Sequence, residues 1–552
     1  MNVVRIVIML CLLVSISVSC GNQPSSSKTE TAPQNTASVP LFEDLGSHHH
    51  SVTTSSDMAQ KYFDQGLRLI YGFNHDEAER AFREAARLDP KCAMAWWGVA
   101  YASGPNYNLP MNPEQNAKAL EAVGNAQAQQ SGVSEPERAY IAAIATRYSA
   151  NPGKDRVELD RAYGDAMKKL HERYPEDNDA AVLYAESLMD LKPWQLWSRD
   201  GKPAEGTDII VKLLESVLAR DPNHPGANHY YIHAIEASPS PEKGLASADR
   251  LKSLVPGAGH LVHMPAHIFI RTGNYKGAMD ANANAARADE AYFARTKMEG
   301  VYPMMYYTHN FQFLSAAAAT LGQSAKAVEA AANAVKIAAP MAGHDPMVEY
   351  VLPWSLYALV RCEKWEDVLS YPKPAETTPV TLAFWHYARG LAYLGKADLA
   401  TARKSRTEFE SSRTRIPGNQ MLNTNRAQDL LVIAAAVLDG RLASAAGDTN
   451  SALNLFGKAV ETQDRLVYDE PPAWYYPVRE SLGGEYLRGK KYADAEKIFR
   501  RDLEINPNNP RSLFGMSEAL RGQSKNVEAA EYMRRFETEW KGADVQVRVA
   551  TL

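Results

Sequence analysis

The chain is poor in cysteine and lacks the short motifs that mark common cofactor and nucleophile sites. Its 552 residues include four cysteines, Cys11, Cys20, Cys92 and Cys362, which are scattered. They are too few for a disulfide framework or a cysteine-based zinc site, and no CxxCH motif for c-type haem is present. GxGxxG, P-loop and nucleophile-elbow patterns are also missing, so we expect no nucleotide cofactor.

An excess of positive charge is missing as well. The chain has 60 Lys and Arg against 65 Asp and Glu, a formal net charge of −5, and no basic block. Proteins that bind nucleic acids usually carry a basic face, so we expect no nucleic-acid partner. A metal ion would depend on His, carboxylate or Met ligands.

Long apolar runs are confined to the N-terminus. Arg5 precedes an apolar run from 6 to 14, and small residues follow from 15 to 19. This run is too short for a permanent membrane-spanning helix and is typical of a signal peptide, residues 1–19. Nothing later in the sequence indicates a second spanning segment, so we expect export of a soluble body.

The end of this signal resembles the lipobox of bacterial lipoproteins. The residues are Val18-Ser19-Cys20-Gly21, although Ser17 stands where that family usually carries Leu. The resemblance implies lipidation of Cys20; secretory cleavage after Ser19 without a lipid is the alternative. Residues 20–40 have almost no large apolar side chains and predict a disordered tether. We therefore expect an extracytoplasmic protein anchored by its N-terminal lipid to a bacterial membrane, at the periplasmic face or the cell surface.

A 34-residue repeat sets the expected architecture. The segment 59–92 carries an aromatic, Gly, Ala, aromatic, Ala and Pro where the tetratricopeptide pattern requires them, at Tyr62, Gly66, Ala78, Phe82, Ala85 and Pro90. The small residues let two antiparallel helices approach closely, and the proline ends the second helix.

Weaker copies of the repeat extend along most of the chain. The copies are marked by Gly273 with Tyr275, Gly447 with Phe456, Tyr492 with Phe499, and closing prolines at 175, 222 and 256. The sequence therefore predicts an all-α, tetratricopeptide-like solenoid of helical hairpins over 57–545, a right-handed superhelix with a concave groove. A His-containing leading segment, 41–56, precedes it, and irregular insertions are expected at 104–115, 192–206 and 289–307.

Two groups of histidines lie one repeat apart. NHYYIHAIE places His229, His233 and Glu236 on one helix face, at i, i+4 and i+7. GHLVHMPAHIF does the same for residues 260, 263 and 267. His263 and His267 follow His229 and His233 by 34 residues.

The tetratricopeptide resemblance implies that positions two, five, nine and twelve of each first helix face the groove. The predicted groove residues are His260 and His309 at position two, His229 and His263 at position five, His233 and His267 at position nine, and Glu236 at position twelve. Glu186 and Asp190 take positions nine and thirteen of an earlier hairpin. Adjacent first helices lie roughly 10 Å apart, so these side chains can converge.

Several imidazoles beside carboxylates suit a transition metal such as zinc, copper or iron, rather than calcium or magnesium. The predicted metal ligands are His229, His233, His260, His263, His267, His309 and Glu236. A polar groove that recognises an anionic ligand or a peptide by hydrogen bonds is the alternative. Met264, Met304 and Met305 would favour copper if they faced the site, although Met usually fills gaps in the core.

The remaining histidines suggest less. His48, His49 and His50 could fold back and add ligands, but we expect a solvated polar turn. His75 takes a turn position that is usually occupied by Tyr, which indicates packing.

Several segments together are similar to a set of large, often exported bacterial tetratricopeptide-repeat proteins. They are LGSHHH, YFDQGLRLIYGFNHDEA, CAMAWWGVAYASGPNYN, NHYYIHAIE, HMPAHIFIRTGNY, YYTHNFQFL and EPPAWYYPVRESLG, which span most of 41–523. The resemblance implies the fold and export and names no reaction.

Two functions from different classes are consistent with the sequence. The first is a membrane-tethered scaffold whose His-rich groove binds a transition metal, a partner protein or peptide, or both. The second is a metalloenzyme with an open metal coordination position, in which Glu236 or Glu186 acts as general base.

Overall fold

Helices follow one another in antiparallel pairs along the chain. The computed structural model describes residues 39–151 and 153–552. The predicted signal peptide, Cys20 and nearly all of the tether lie outside these residues. Residues 39–552 form one unit.

The first part of the solenoid runs from α1 to α13. Its helices are α1 (Asp57–Ile70), α2 (His75–Leu88), α3 (Ala93–Ala102), α4 (Pro113–Gln129), α5 (Glu135–Ala145), α6 (Arg156–Arg173), α7 (Asn178–Met189), α8 (Thr207–Arg220), α9 (Pro225–Ile235), α10 (Leu245–Leu254), α11 (Gly259–His263), α12 (Pro265–Thr272) and α13 (Tyr275–Thr296).

The second part contains the remaining helices and one two-stranded ribbon. The helices are α14 (Thr308–Thr320), α15 (Ser324–Ala338), α16 (Trp354–Arg361), α17 (Trp365–Ser370), α18 (Pro379–Gly395), α19 (Leu399–Arg413), α20 (Ala427–Ala445), α21 (Thr449–Gln463), α22 (Arg479–Arg488), α23 (Tyr492–Ile505), α24 (Pro510–Gly522) and α25 (Asn526–Glu539). Strands β1 (Met421–Leu422) and β2 (Asn425–Arg426) pair antiparallel.

Each hairpin is formed by consecutive helices, and first helices of neighbouring hairpins lie side by side. Helix α1 packs on α2 and on α3, α7 packs on α8 and on α9, and α14 packs on α15 and on α16. This arrangement confirms the predicted fold. The chain is a tetratricopeptide-like α-solenoid.

Small residues permit the close approach of these helices, as the repeat pattern predicts. Phe82 of α2 is fully buried and lies between Gly66 and Gly98. A Cβ added at Gly66 would lie 2.6 Å from the Phe82 ring, and one added at Gly98 would lie 2.4 Å from it. The Phe82 ring therefore depends on a glycine on each side.

In the first turn of the superhelix, helices that are distant in sequence contact one another. The backbone carbonyl of Tyr71, after α1, lies 2.7 Å from Nδ1 of His229 in α9. Tyr292 of α13 donates a hydrogen bond to Glu77 of α2 at 3.2 Å. The inner side of this turn is consequently filled by side chains.

The C-terminal hairpins return to the middle of the chain. Asp544 accepts a hydrogen bond from the backbone N–H of Ser324 at 2.6 Å, and its own N–H donates to the carbonyl of Gly322 at 3.0 Å. Arg361 of α16 forms a buried, bidentate ion pair with Glu480 of α22. These contacts join the two ends of the second part.

One predicted insertion is shorter than expected. Helix α13 continues through Thr296, and a π-helical turn, Pro303–Tyr307, leads into α14. The irregular stretch predicted for 289–307 is therefore confined mainly to 297–300. None of the described helices is both long and apolar enough to cross a lipid bilayer.

Candidate metal centre

Four helices bring the six predicted histidines together inside the first turn. Helix α9 carries two, α11 carries two, α12 carries one and α14 carries one. They form two triads, in each of which one ligand atom per residue lies within 4.8 Å of the other two. The first triad is His229, His233 and His260, and the second triad is His263, His267 and His309.

In each triad, a backbone or amide oxygen orients one ring by accepting from Nδ1, the outer nitrogen, which faces away from the centre. Nδ1 of His229 lies 2.7 Å from the Tyr71 carbonyl, and Nδ1 of His263 lies 2.7 Å from Oδ1 of Asn282. The Asn282 amide donates to the Ala278 carbonyl at 2.8 Å, so its oxygen faces the imidazole. Because both partners are acceptors, Nδ1 carries the proton and each ring directs Nε2 inward.

A single carboxylate orients two further rings. Glu236 accepts from Nδ1 of His233 at 2.8 Å through Oε1, and from Nδ1 of His267 through Oε2. A carboxylate on the outer nitrogen of an imidazole is the usual outer partner of a metal-binding histidine. Glu236 therefore sits behind the ligands, and it does not compete for the inner space.

The inner nitrogens face one another at short distances. Nε2 of His263 lies 2.8 Å from Nε2 of His267, and Nε2 of His229 lies 3.1 Å from Nε2 of His260. Two lone pairs at this separation need a proton or a metal ion between them. Two nitrogens bound to one tetrahedral metal at 2.0–2.1 Å would lie about 3.3 Å apart, near the separation of His229 and His260 and about 0.5 Å longer than that of His263 and His267.

Burial keeps most of these imidazoles neutral. Desolvation, assisted by neighbouring imidazoles, holds the pKa of His229, His260 and His263 well below the usual range, and burial lowers that of His309 to about 3. Burial also lowers the pKa of His233 despite the Glu236 carboxylate. Neutral imidazole is the form that binds a metal.

The pair of His267 and Glu236 differs from the other groups. Burial opposes charge on both, but their mutual attraction is larger, so the pKa of His267 is raised and that of Glu236 is lowered to about 2. His267 is 1 % exposed and Glu236 is 1 % exposed. A positive centre is thus favoured next to Glu236, which is also where a metal ion would lie.

Aromatic side chains close the first triad. The Phe73 ring stacks on His233 and His260, with centroid distances of 5.9 and 5.5 Å. Tyr107 and Trp194 cover another side of His233. In the second triad, His309 is partly exposed, so this triad is the more accessible of the two.

A cavity of about 570 Å³ lies beside the chain segments that follow the ligands, although none of the six histidines lines it. Its wall includes Ala237, which follows Glu236, and Arg271, one helical turn after His267. Glu470 also lines the cavity, and its charge influences the pKa of His267. The ends of α9 and α12 therefore carry metal-ligand candidates and, directly after them, residues of the cavity wall.

Glu470 is a residue of this region that the sequence analysis missed. It is 2 % exposed, and its Oε2 has no hydrogen-bond partner among the described residues. Burial raises its pKa to about 7. Glu470 belongs to the EPPAWYYPVRESLG segment, but its distance from the histidines along the chain gave no reason to place it beside them.

Glu186 and Asp190 belong to a separate polar cluster. Asp190 pairs with the fully buried guanidinium of Arg147, and the surroundings of Glu186 are Arg147, Tyr101 and Asp190. None of the contacts described for Glu186 joins it to either triad. These contacts give no support to the expectation that the two acids flank the histidines, with Glu186 as a base at the metal, and that expectation stays a prediction.

The leading segment 41–56 folds back onto the solenoid, so the expected solvated turn is wrong. His48 Nε2 lies 3.0 Å from Asp179 Oδ1, and His50 Nδ1 lies 2.7 Å from Asp179 Oδ2. His224 lies 3.2 Å from the same carboxylate, while the half-exposed His49 contacts Asp64 at 2.7 Å. This cluster attaches the leading segment to α7 and α9.

The other predicted candidates pack in the interior. Met264 is buried in the hydrophobic core and Met305 packs against it, which gives no support to a methionine ligand. His75 is close to the Ala102 carbonyl, at 3.2 Å, and burial lowers its pKa to about 4. His75 therefore has the packing role that its position indicates.

Comparison with known proteins adds the following. No protein-family model matches the sequence, and a search of curated proteins gives no match. Among solved structures, the human IFIT1 dimer with m7Gppp-AAAA is 12% identical, with a TM-score of 0.33, over 88% of this chain and 91% of that one. Yeast Tom70 is 12% identical, with a TM-score of 0.32, over 86% and 96% of the two chains. The Cut9 and Hcn1 hetero-tetramer of the APC/C gives 12% identity and a TM-score of 0.31, over 87% of this chain and 73% of the other. These likenesses carry no inference about function.

Proposed function

We propose that the protein binds a transition metal inside the first turn of its solenoid. The observation that supports this most strongly is the inward convergence of Nε2 atoms, with 2.8 Å between those of His263 and His267. Their Nδ1 atoms are held by acceptors, so a proton or a metal ion must lie between the two inner lone pairs, and the proposal assigns a metal ion. A purely structural cluster would instead hold a proton between the two nitrogens of each pair, so metal analysis distinguishes the two arrangements.

The ligand chemistry narrows the choice of metal. Imidazole nitrogens suit zinc, copper and iron, whereas calcium and magnesium require oxygen ligands. The carboxylate of Glu236 faces the outer nitrogens, so the inner surface offers nitrogen only. An all-nitrogen set favours zinc or copper over iron, which is commonly bound with a carboxylate.

We also propose that this metal protein is exported and tethered to a membrane. The support is the N-terminal sequence alone, namely the signal-like residues 1–19 and Cys20 in a lipobox-like context. Metabolic labelling with a fatty-acid analogue, for the wild type and for Cys20→Ser, tests the lipid. Equal labelling of both would overturn this part of the proposal.

Metal analysis after purification without a His tag tests the main proposal. We expect stoichiometric zinc or copper in the wild type and a large loss in the double variant His263→Gln and His267→Gln. The matched control is the pair His344→Gln and His386→Gln, two histidines outside the triads. Equal metal in all three proteins, or none in the wild type after incubation with zinc and copper, contradicts the proposal.

A metalloenzyme is the second candidate, and the cavity lined by Glu470 favours it. The cavity of about 570 Å³ is large enough for a small organic molecule. His309 is partly exposed on the second triad, and Glu470 offers an unpaired carboxylate oxygen nearby. A base near a metal-bound water is the arrangement used in metal-assisted hydrolysis.

The two candidates differ in whether a coordination position is open. Cobalt or copper substitution followed by titration with azide gives a new charge-transfer band if a position is open, and no change if the site is closed. A new band supports the enzyme, whereas an unchanged spectrum at saturating azide supports a scaffold with a structural metal.

A further inference from the structure

Both triads take their three histidines from equivalent positions of the repeat. In the first triad, His229 and His233 come from one first helix and His260 comes from the start of the next. In the second triad, the pair four residues apart is at 263 and 267, and the third residue, His309, again comes from the start of the following first helix.

The two triads also have nearly the same shape. In the first triad, the ring centroid of His229 lies 4.9 Å from those of His233 and His260, and the centroids of His233 and His260 are 6.2 Å apart. In the second triad, the ring centroid of His263 lies 4.7 Å from that of His267 and 4.9 Å from that of His309. The centroids of His267 and His309 are 5.9 Å apart. The repeat has thus built one three-histidine arrangement twice.

From this duplication we propose that the centre is dinuclear, with one metal ion in each triad. The inference rests on the proposed metal binding and adds the number of ions and their arrangement. Three imidazoles with a free fourth position form a complete ligand set for a zinc or copper ion. Each short Nε2 pair, His229 with His260 and His263 with His267, lies within one triad, so the six imidazoles divide into two ligand sets.

The two ions share one side of the centre. The His233 ring lies 5.5 Å from that of His267, and the His260 ring lies 5.7 Å from that of His263, as centroid distances across the triads. Glu236 connects the triads from outside, with one oxygen for each. The free positions therefore face a common space, which suits a small bridging ligand such as hydroxide or azide.

The surroundings make the two ions unequal. Phe73, Tyr107 and Trp194 cover the first triad, whereas the second triad includes the partly exposed His309. The ion in the first triad should exchange slowly. The ion in the second should leave first when a chelator is added.

Metal counting on the full-length chain tests this proposal separately from metal binding itself. After saturation with zinc and removal of excess metal, we expect two zinc ions per chain. We expect one in the variant His229→Gln with His260→Gln, one in the variant His263→Gln with His309→Gln, and two in the control His386→Gln. No bound metal in the wild type after incubation with zinc and with copper overturns the proposed function, whereas one ion per chain overturns only the dinuclear arrangement.

A spectroscopic measurement on the wild type avoids dependence on the folding of variants. Two Cu(II) ions that share a bridge couple magnetically, so the copper-loaded protein should show much less EPR intensity than its copper content predicts. Addition of a chelator should first remove the ion of the second triad and restore the spectrum of an isolated Cu(II) ion. Full EPR intensity at two coppers per chain, with and without azide, would overturn the shared arrangement.

Discussion

Glu236 accepts a hydrogen bond from Nδ1 of His233 at 2.8 Å with one oxygen, while its second oxygen accepts from Nδ1 of His267. One buried carboxylate thus orients an imidazole in each triad. This contact joins α9 to α12, and it couples the orientation of both sets of inner nitrogens to one side chain.

Replacing Glu236 by Gln should weaken metal binding without removing a ligand. The amide of Gln can accept from only one of the two Nδ1 atoms, so one ring loses its orientation. Outer-sphere changes of this kind cost about 10–100-fold in metal affinity. Competition with a chromophoric chelator measures the change, and Glu242→Gln, on the exposed turn after α9, is the control. Unchanged affinity in Glu236→Gln would contradict the orienting role.

Shortening Phe82 should loosen the N-terminal hairpins. The ring is fully buried between Gly66 and Gly98, which leave space for no other side chain. Phe82→Ala should destabilise this region by about 3–5 kcal/mol because of the lost burial and the cavity that remains. Hydrogen exchange of α1 to α3 should increase, whereas Val527→Ala, at 87 % exposure, should change little. An effect spread equally over all hairpins would argue against the local origin, since a solenoid loses stability repeat by repeat.

Removing Arg361 should be more harmful than removing both partners of its ion pair. The Arg361 guanidinium contacts the two oxygens of Glu480 at 2.5 and 2.8 Å, and both side chains are buried. Arg361→Leu leaves Glu480 charged and unpaired, which costs about 3–5 kcal/mol. The double variant Arg361→Leu with Glu480→Leu should recover part of this loss in thermal unfolding experiments. A double variant that is less stable than both single variants would disprove this account.

Raising the pH should release the leading segment 41–56. Burial disfavours the charged form of His50, but the hydrogen bond and charge of Asp179 outweigh it and raise the pKa of His50 to about 9. A raised pKa means that this stabilisation is present below the unfolded value of about 6.5 and is lost as the pH rises through 9.

At acid pH, the stability of this contact changes with pH in the opposite direction. Burial alone would raise the pKa of Asp179, but His48, His224 and His50 hold it well below its usual range. That stabilisation is present above the unfolded pKa of Asp179 and disappears as the pH falls through the lowered pKa.

Limited proteolysis near residues 41–56 should increase between pH 7 and pH 10, because His50 loses its charge in this range. His50→Gln should remove this difference; if the variant keeps it, another group is responsible.

Much of the fold follows from local sequence. Helix pairs are indicated by small residues and aromatics at 34-residue spacing, and these contacts lie within a hairpin or between neighbours, as for Gly66, Phe82 and Gly98. The register of His229 with His263 is likewise local, because the same position in two successive repeats has the same orientation. The sequence could therefore predict that imidazoles from successive hairpins meet.

The details of the candidate centre depend on contacts between distant parts of the chain. The Tyr71 carbonyl holds a histidine 158 residues away, Asp179 gathers His48 and His50 from the leading segment, and Glu470 returns beside the cavity. Glu186 has a groove position in the repeat, but burial beside Arg147 places it in another cluster.

The sequence by itself thus determined the repeat, the hairpins and the shared face of the histidines, because helical periodicity and repeat spacing are local properties. The tertiary structure decided which side chains stand behind the imidazoles, which acids belong to another cluster and which triad is open. Those choices depend on which distant hairpins the superhelix brings into contact, and its turning angle is the sum of many small packing contacts that no single segment specifies.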